Sequence, residues 1–557
     1  MEDLPELSAA IRGLLYEVEA CPLLDILPGE VLTMVFTQVF NQLDVGELSG
    51  LVVVCKSLAA PVCDALRISA VARGCPREFM PATEVSGGEM SHVLNLLSLE
   101  RQWRMPRALI SAGEHHSCAV AADDALLICG DEDIDAAGHM FNAGTARGML
   151  GGLASPQPRL VRLPALAGKR VFSVSCGTHH TLLVDFDGNA YSFGGGEELG
   201  PHCLGHGDEA QCEQARTVPT IIAALRQRRC MAVAAGCDFS LVLDTHGRVY
   251  AFGDRGAHLG LGQDASRIED DPNDEREEWT YDELGISSPK QIACPPMQAI
   301  SAGARHSLFL SRKGYIFTCG SSNTGALGLG DTVEERHSPT PLMNFIQSWA
   351  GNDPVRESRE AFQFCSIAAG RSHSVFFSTT GAIFVCGDGG NGPYGRRLLG
   401  VGATHRPPPT GSAPHNSTGH DEIMTLSAGG HIMSTQKAAG WHVLEPERVL
   451  GLDHLDVIAV SAGSSHRLAL TKEGDVYSFG TLDGRLGRGR RPPVAPAPVQ
   501  FPMQVQARAV AAGSTHSFIL ANNGQIYAFG RGVASCLFLE DDTSTPTAVG
   551  PPLSQEP

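Results

Sequence analysis

Short apolar runs separated by glycine-marked turns recur along residues 106–550. Runs such as HTLLVDF at 180–186 and NAYSFG at 189–194 are rich in β-branched, aromatic and aliphatic residues, the composition of largely buried strands. A short motif precedes each such hairpin: SAGEHHS, SCGTHHT, AAGCDFS, SAGARHS, AAGRSHS, SAGSSHR and AAGSTHS. Its anchor glycines are Gly113, Gly177, Gly236, Gly303, Gly370, Gly463 and Gly513. Each is followed 17 residues later by a second glycine: Gly130, Gly194, Gly253, Gly320, Gly387, Gly480 and Gly530. Eleven residues after the anchor stands a turn glycine, as at Gly188 and Gly524, or Asp124 in the first copy. Asp187 and Asn523 before those glycines predict two-residue type I′ hairpins. A loop often reading LGxG follows, and a Pro then introduces a further short strand, as in PRLVRL, EPERVLGL and TPTAV. One repeat thus supplies about four strands in roughly 50–65 residues, the length of a propeller blade. A four-stranded sheet cannot bury both faces alone, so the blades must stack and the ring must close.

The pattern G-x-x-H-[ST]…G-x-[VIL]-[YF]-x-[FWC]-G…LGxGD resembles the regulator-of-chromosome-condensation (RCC-type) repeat family. That resemblance implies a seven-bladed β-propeller over residues 106–550. Where the family has Trp before the second glycine, this chain has Phe193, Phe252, Phe479 and Phe529, or Cys129, Cys319 and Cys386, which read as core fillers. One interval is irregular: Gly463 follows Gly370 by 93 positions. Residues 403–444 read as an insertion, with EPERVLGL returning as the fourth strand of its blade. A compact eighth blade, including residues 429–444, is the alternative.

Ahead of the repeats, residues 25–65 show helical periodicity instead, with Leu27, Val31, Leu32, Val35, Phe36 and Val39 on one stripe. Asp44 and Glu47 are spaced as an N-terminal cap for a second helix, on which Leu48, Leu51, Val52, Cys55 and Leu58 share a side. This segment resembles the F-box pattern LPxEVLxxVFxxL…DxxELxxLxxVCKxL. The resemblance implies a module that docks the Skp-type adaptor of cullin–RING ubiquitin ligases. Leu27, Pro28, Val31, Leu32, Val35, Phe36, Leu48, Leu51 and Cys55 would then form the adaptor surface. Leu58 replaces the family's usual aromatic, and Gly46 and Gly50 weaken the middle helix. A private helical cap on the propeller is the other reading. The expected layout is a helical extension at 1–24, the all-α F-box module at 25–70, a linker with a helix at 71–105, the propeller at 106–550 and a tail at 551–557. The fold class is mainly β.

Composition narrows the function. A formal charge of −19 over 557 residues disfavours broad contact with nucleic acid or an anionic bilayer, and suits a basic partner. No apolar run reaches transmembrane length, and the N-terminus lacks the features of a secretory signal. Sixteen scattered cysteines without a C-x-x-C pair fit reduced thiols of the cytoplasm or nucleus. The repeated His116, His180, His306, His373, His466 and His516 occupy one equivalent spot per blade, so their copies are distributed around a ring and do not converge on an ion. They read as structural residues able to hydrogen-bond neighbouring strand backbones through both nitrogens. His202, Cys203, His206 and Cys212 have ligand-type side chains in no common zinc spacing. No nucleophile elbow, HExxH, kinase signature or phosphate loop occurs, so no catalytic residue, cofactor or metal is expected. The loop 264–285 carries ten carboxylates against two arginines, with Trp279 and Tyr281 among them. It reads either as a solvated loop or as a contact for a basic partner. The paired resemblances imply a substrate-recognition subunit of an SCF-type ubiquitin ligase whose propeller binds a target protein. The alternatives are nucleotide exchange on a Ran-like small GTPase, and a non-enzymatic scaffold with a vestigial F-box.

Overall fold

The computed structural model describes residues 107–549 except 122, 132–148, 154, 156, 196–200, 208–216, 263–284, 331–334, 343–362, 389–398, 402–442, 453–454, 481–483, 490–494 and 531–542. The expected extension, F-box module, linker and tail lie outside the described residues, as do Trp279 and Tyr281. Within the compact unit Ala108–Pro557, the described strands form seven four-stranded antiparallel sheets, each a meander of consecutive strands. Their innermost strands are Ile110–Ala112, Val171–Cys176, Cys230–Ala235, Met297–Ala302, Phe364–Ala369, Val457–Ala462 and Ala507–Ala512. These open blades 1 to 7. The fold is mainly β, a seven-bladed propeller.

Alternation along the second strand of each blade sends side chains into two different seams. In blade 1, Cys118 and Val120 pack with Val174, Leu183 and Phe193 of blade 2. Ala119 and Ala121 pack instead with Phe518 and Leu520 of blade 7. The core is therefore distributed around the ring, and blade 7 meets blade 1 without exchanging a strand. Cys129, Cys319 and Cys386 are buried as expected, each donating weakly to a backbone carbonyl.

Two expectations need correction. The hairpins between second and third strands are not type I′, because Asp187 and its counterparts keep negative φ. Gly188 N–H donates to Asp185 O at 3.0 Å and Gly188 has φ +83°, a type I turn closed by a left-handed residue in a three-residue loop. Asp124 fills this place in blade 1 with φ 63°, held by Arg170 at 2.8 Å. The other correction is to the end of the insertion. Val443–Arg448 is the fourth strand of blade 5, starting inside the 403–444 span read as insertion. Blade 5 then packs directly on blade 6 through Val375, Phe376, Val457 and Ala469. Arg371 N–H closes that seam on Gly463 O at 3.2 Å.

Meander topology sorts the connections. The three-residue turns and the links between blades lie at one end of the ring. The anchor loops, the LGxG loops, and Gly262 and Gly285, which flank the acidic segment, lie at the other.

Candidate functional site

The anchor motif fixes the face on which those loops converge. A Cβ on Gly177 would lie 2.5 Å from Gly236 O and 2.9 Å from the His180 ring, so the position admits no side chain. Five of the anchor loops close on the next anchor glycine: Glu114 N–H reaches Gly177 O at 3.4 Å, Thr178 N–H reaches Gly236 O at 3.4 Å, Arg371 N–H reaches Gly463 O at 3.2 Å, Ser464 N–H reaches Gly513 O at 3.1 Å, and Ser514 N–H reaches Gly113 O at 3.2 Å. The last contact closes the ring.

The repeated histidines form a second, buried belt. His116 Nε2 bonds Thr181 Oγ1 at 2.7 Å, His180 bonds Ser240 at 2.9 Å, and His306 bonds Ser374 at 3.0 Å. His466 bonds Ser517 at 2.7 Å, and His516 bonds Ser117 at 2.8 Å across the closure. This explains the H-[ST] dipeptide: each histidine uses the hydroxyl that follows the next blade's histidine position. Ser240 Oγ donates its own proton to Cys203 O at 2.6 Å, so it accepts from Nε2–H of His180. The expectation of backbone bonds through both nitrogens is therefore corrected: Nδ1 of His116, His180, His466 and His516 is buried with no hydrogen-bond partner among the described residues. Burial pushes His180 and His516 down to about 3 and His306 to about 4, keeping these rings neutral. Two seams depart. Phe239 replaces the histidine of blade 3 and packs on His258 with centroids 4.5 Å apart. Arg467 replaces the hydroxyl of blade 6, is fully buried, and donates to Asp388 O at 3.3 Å. The histidines are thus structural links. Among the described residues no group of three or more His, Cys, Asp or Glu side chains is placed to hold a metal ion. His206 bonds Ser192 Oγ at 2.9 Å, and Cys203 serves the belt through its carbonyl.

What varies lies between each anchor glycine and its histidine position: Glu114-His115, Thr178-His179, Cys237-Asp238, Ala304-Arg305, Arg371-Ser372, Ser464-Ser465 and Ser514-Thr515. A fixed ring carrying variable loop residues is how binding scaffolds build specificity. Arg371 of blade 5 bonds Glu114 of blade 1 at 3.3 Å. His115 stacks on His179 with centroids 5.3 Å apart. Ser464 Oγ donates to Ser514 Oγ at 2.9 Å. Asp254 follows the second glycine of blade 3, its N–H on Asp238 O at 2.9 Å. Burial and the neighbouring Asp238 push its carboxyl up to about 7 against the pull of Arg305. Glu114, Asp131, Asp238 and Asp254 of blades 1 to 3 share this face with Asp388 of blade 5, and Arg255 of blade 3 shares it with Arg305, Arg371 and Arg485 of blades 4 to 6. Sequence reasoning singled out the invariant positions and passed over these variable pairs. Their failure to repeat inside a repeating motif was the available signal. The expected adaptor residues, from Leu27 to Cys55, are not among the described residues.

RCC1 repeats are detected within this propeller. The family model for the regulator of chromosome condensation (RCC1) repeat matches residues 187–243, 313–377 and 473–520, and a second RCC1 repeat model matches 298–326, 457–485 and 507–534. The chain is 26% identical over 402 residues to the ultraviolet-B receptor UVR8 of Arabidopsis thaliana, covering 68% of this chain and 78% of that protein. It is 25% identical over 378 residues to the E3 ubiquitin-protein ligase HERC2 of Homo sapiens, covering 68% of this chain but 6% of that one. The crystal structure of Prp20p from Saccharomyces cerevisiae shares the fold, with TM-score 0.51 and 22% identity over 73% of this chain and 85% of Prp20p.

Proposed function

We propose that the chain is a target-recognition subunit of an SCF-type cullin–RING ubiquitin ligase. Residues 25–70 dock the Skp-type adaptor, and the anchor-loop face of the propeller holds the target. The observation that carries this reading is the F-box-like pattern at 25–65, in one chain with a propeller whose variable residues converge on one face. HERC2, named as a ubiquitin ligase, is similar to this chain over a small part of its length, so the similarity supports the scaffold and leaves the ligase connection to the F-box-like segment. The role is binding without covalent chemistry, and no cofactor takes part. The formal charge of −19 favours a target with a basic surface, whose association it would accelerate.

Capture of the adaptor by the full chain tests this directly. Leu27→Asp with Leu32→Asp is expected to abolish adaptor capture while the propeller's circular dichroism is unchanged. Equal capture by both proteins would overturn the proposal. The second reading, nucleotide exchange on a Ran-like small GTPase, rests on the RCC1 repeat matches. It requires tighter binding to the nucleotide-free GTPase than to the loaded one. Accelerated nucleotide release from the purified GTPase would favour it over the ligase role.

A further inference from the structure

The seam between blades 1 and 2 differs from the others in one pair of residues. The residue before the anchor glycine is alanine in six repeats (Ala112, Ala235, Ala302, Ala369, Ala462 and Ala512) and Cys176 in blade 2. Two residues after the histidine position stand Leu182, Leu241, Leu308, Val375, Leu468 and Phe518, but Cys118 in blade 1. These two positions meet across neighbouring seams. Leu182 shares a cluster with Ala235, and Leu468 shares one with Ala512. Each thiol is the odd member of its set, and the two fall at the same seam, where both lie in one buried cluster.

Register brings them close. Cys118 pairs across its hairpin with Ser111, and Ser111 Oγ accepts Cys176 N–H at 2.9 Å. A Cβ on Gly113 would stand 3.1 Å from Cys176 Cβ, so the backbones of the two blades nearly touch here. The two thiols share one buried cluster at this seam, with His116 acting on Cys176. Burial works against ionising Cys176, yet the hydrogen bond from Cys118 and the neighbouring His116 outweigh it and pull that thiol down to about 5. Burial and the bond to Cys176 hold Cys118 well above the usual thiol range. A thiol drawn down beside one held up pairs an attacking cysteine with a resolving one, here with Cys176 7% and Cys118 1% exposed.

We propose that Cys118 and Cys176 are a peroxide-responsive oxidation site that closes into a disulfide stapling blade 1 to blade 2. The Cys176 thiolate attacks one oxygen of a hydroperoxide, breaking the O–O bond to give a sulfenic acid and hydroxide (alkoxide from an organic peroxide). The Cys118 thiol then attacks the sulfenic sulfur, forming the S–S bond and releasing water. Two equivalents of a small thiol, or one dithiol, restore both cysteines and leave as the corresponding disulfide.

The test is peptide mapping of the purified full chain after treatment with hydrogen peroxide and alkylation of the remaining thiols. A Cys118–Cys176 linked peptide, lost on reduction with dithiothreitol, is the expected result. Exposed Cys365 serves as the internal reference for general oxidation. Cys118→Ser should leave a sulfenic acid on Cys176 that dimedone traps. Cys118→Leu with Cys176→Ala rebuilds the pair used at the other seams, and its thermal midpoint should not respond to peroxide, whereas the wild-type midpoint rises. Recovery of both thiols unmodified while Cys365 is oxidised would overturn the proposal. A linked peptide appearing only in denaturant would do the same.

Discussion

Replacing His180 separates the two parts of the belt, ring packing and hydrogen bonding. His180→Phe removes the 2.9 Å bond to Ser240 but leaves a ring over Gly177, as Phe239 already lies over Gly236 in blade 3. Ser240 keeps its 2.6 Å donation to Cys203 O, so no buried hydroxyl proton is orphaned. The loss is then one net hydrogen bond, about 1 kcal/mol. His180→Ala also empties the ring's volume in a fully buried seam, and should cost about 3 kcal/mol in total. Urea unfolding followed by circular dichroism measures both, and a cycle with Ser240→Ala should return a coupling of about 1 kcal/mol. Equal destabilisation by Phe and Ala, or no coupling with Ser240, would refute the tautomer and packing argument together.

Further outcomes follow from the same contacts. His180, His306 and His516 have folded-state pKa values pushed below the unfolded value of about 6.5, so unfolding takes up protons in acid and stability falls as pH drops from about 6.5 toward 4. Each His→Phe change in this set should lessen that loss by about 1.4 kcal/mol per pH unit in urea titrations run at successive pH values. Asp254 has the opposite sign: its carboxyl is raised to about 7, so its contribution is complete below about 4 and is lost as pH rises through 7. Asp254→Asn should therefore stabilise the chain more at pH 8 than at pH 5 in the same titration. Gly463→Ala places a methyl 2.2 Å from Gly513 O and should lower stability by about 3 kcal/mol or prevent folding, read as loss of soluble yield and unfolding midpoint. Arg371→Ala breaks an ion pair whose arginine is 54% exposed, and should change stability by less than about 1 kcal/mol.

Much of the ring was legible in the chain because closure is a local rule applied repeatedly. The glycine spacing marked every blade, and the Pro-led segment EPERVLGL marked the returning strand of blade 5. Turn geometry was misread because Asp-Gly and Asn-Gly suit both a type I′ turn and a type I turn ending in a left-handed glycine. The strands' hydrogen bonds, which flank three residues, decide between them. The belt was half legible. His and the following Ser or Thr were visible as a repeat, but their pairing joins residues of neighbouring blades, 60 positions apart for His180 and Ser240. The thiol pair was obscured for a related reason, since two unremarkable substitutions gain meaning when the seam sets them face to face. Trp279 and Tyr281 stand out in the composition of the acidic segment and lie outside the described residues, whereas the variable anchor-loop pairs carry little compositional signal.

Closure of the ring at the junction of blades 7 and 1 supports everything placed on the anchor face. It is tested most directly by a double-mutant cycle on His516→Phe and Ser117→Ala, residues 399 positions apart that bond at 2.8 Å. A coupling of about 1 kcal/mol, equal to that of His180 with Ser240, is the result a closed seven-bladed ring requires. Independent, additive effects at 516 and 117, beside clear coupling at 180 and 240, would mean that the first and last blades do not meet.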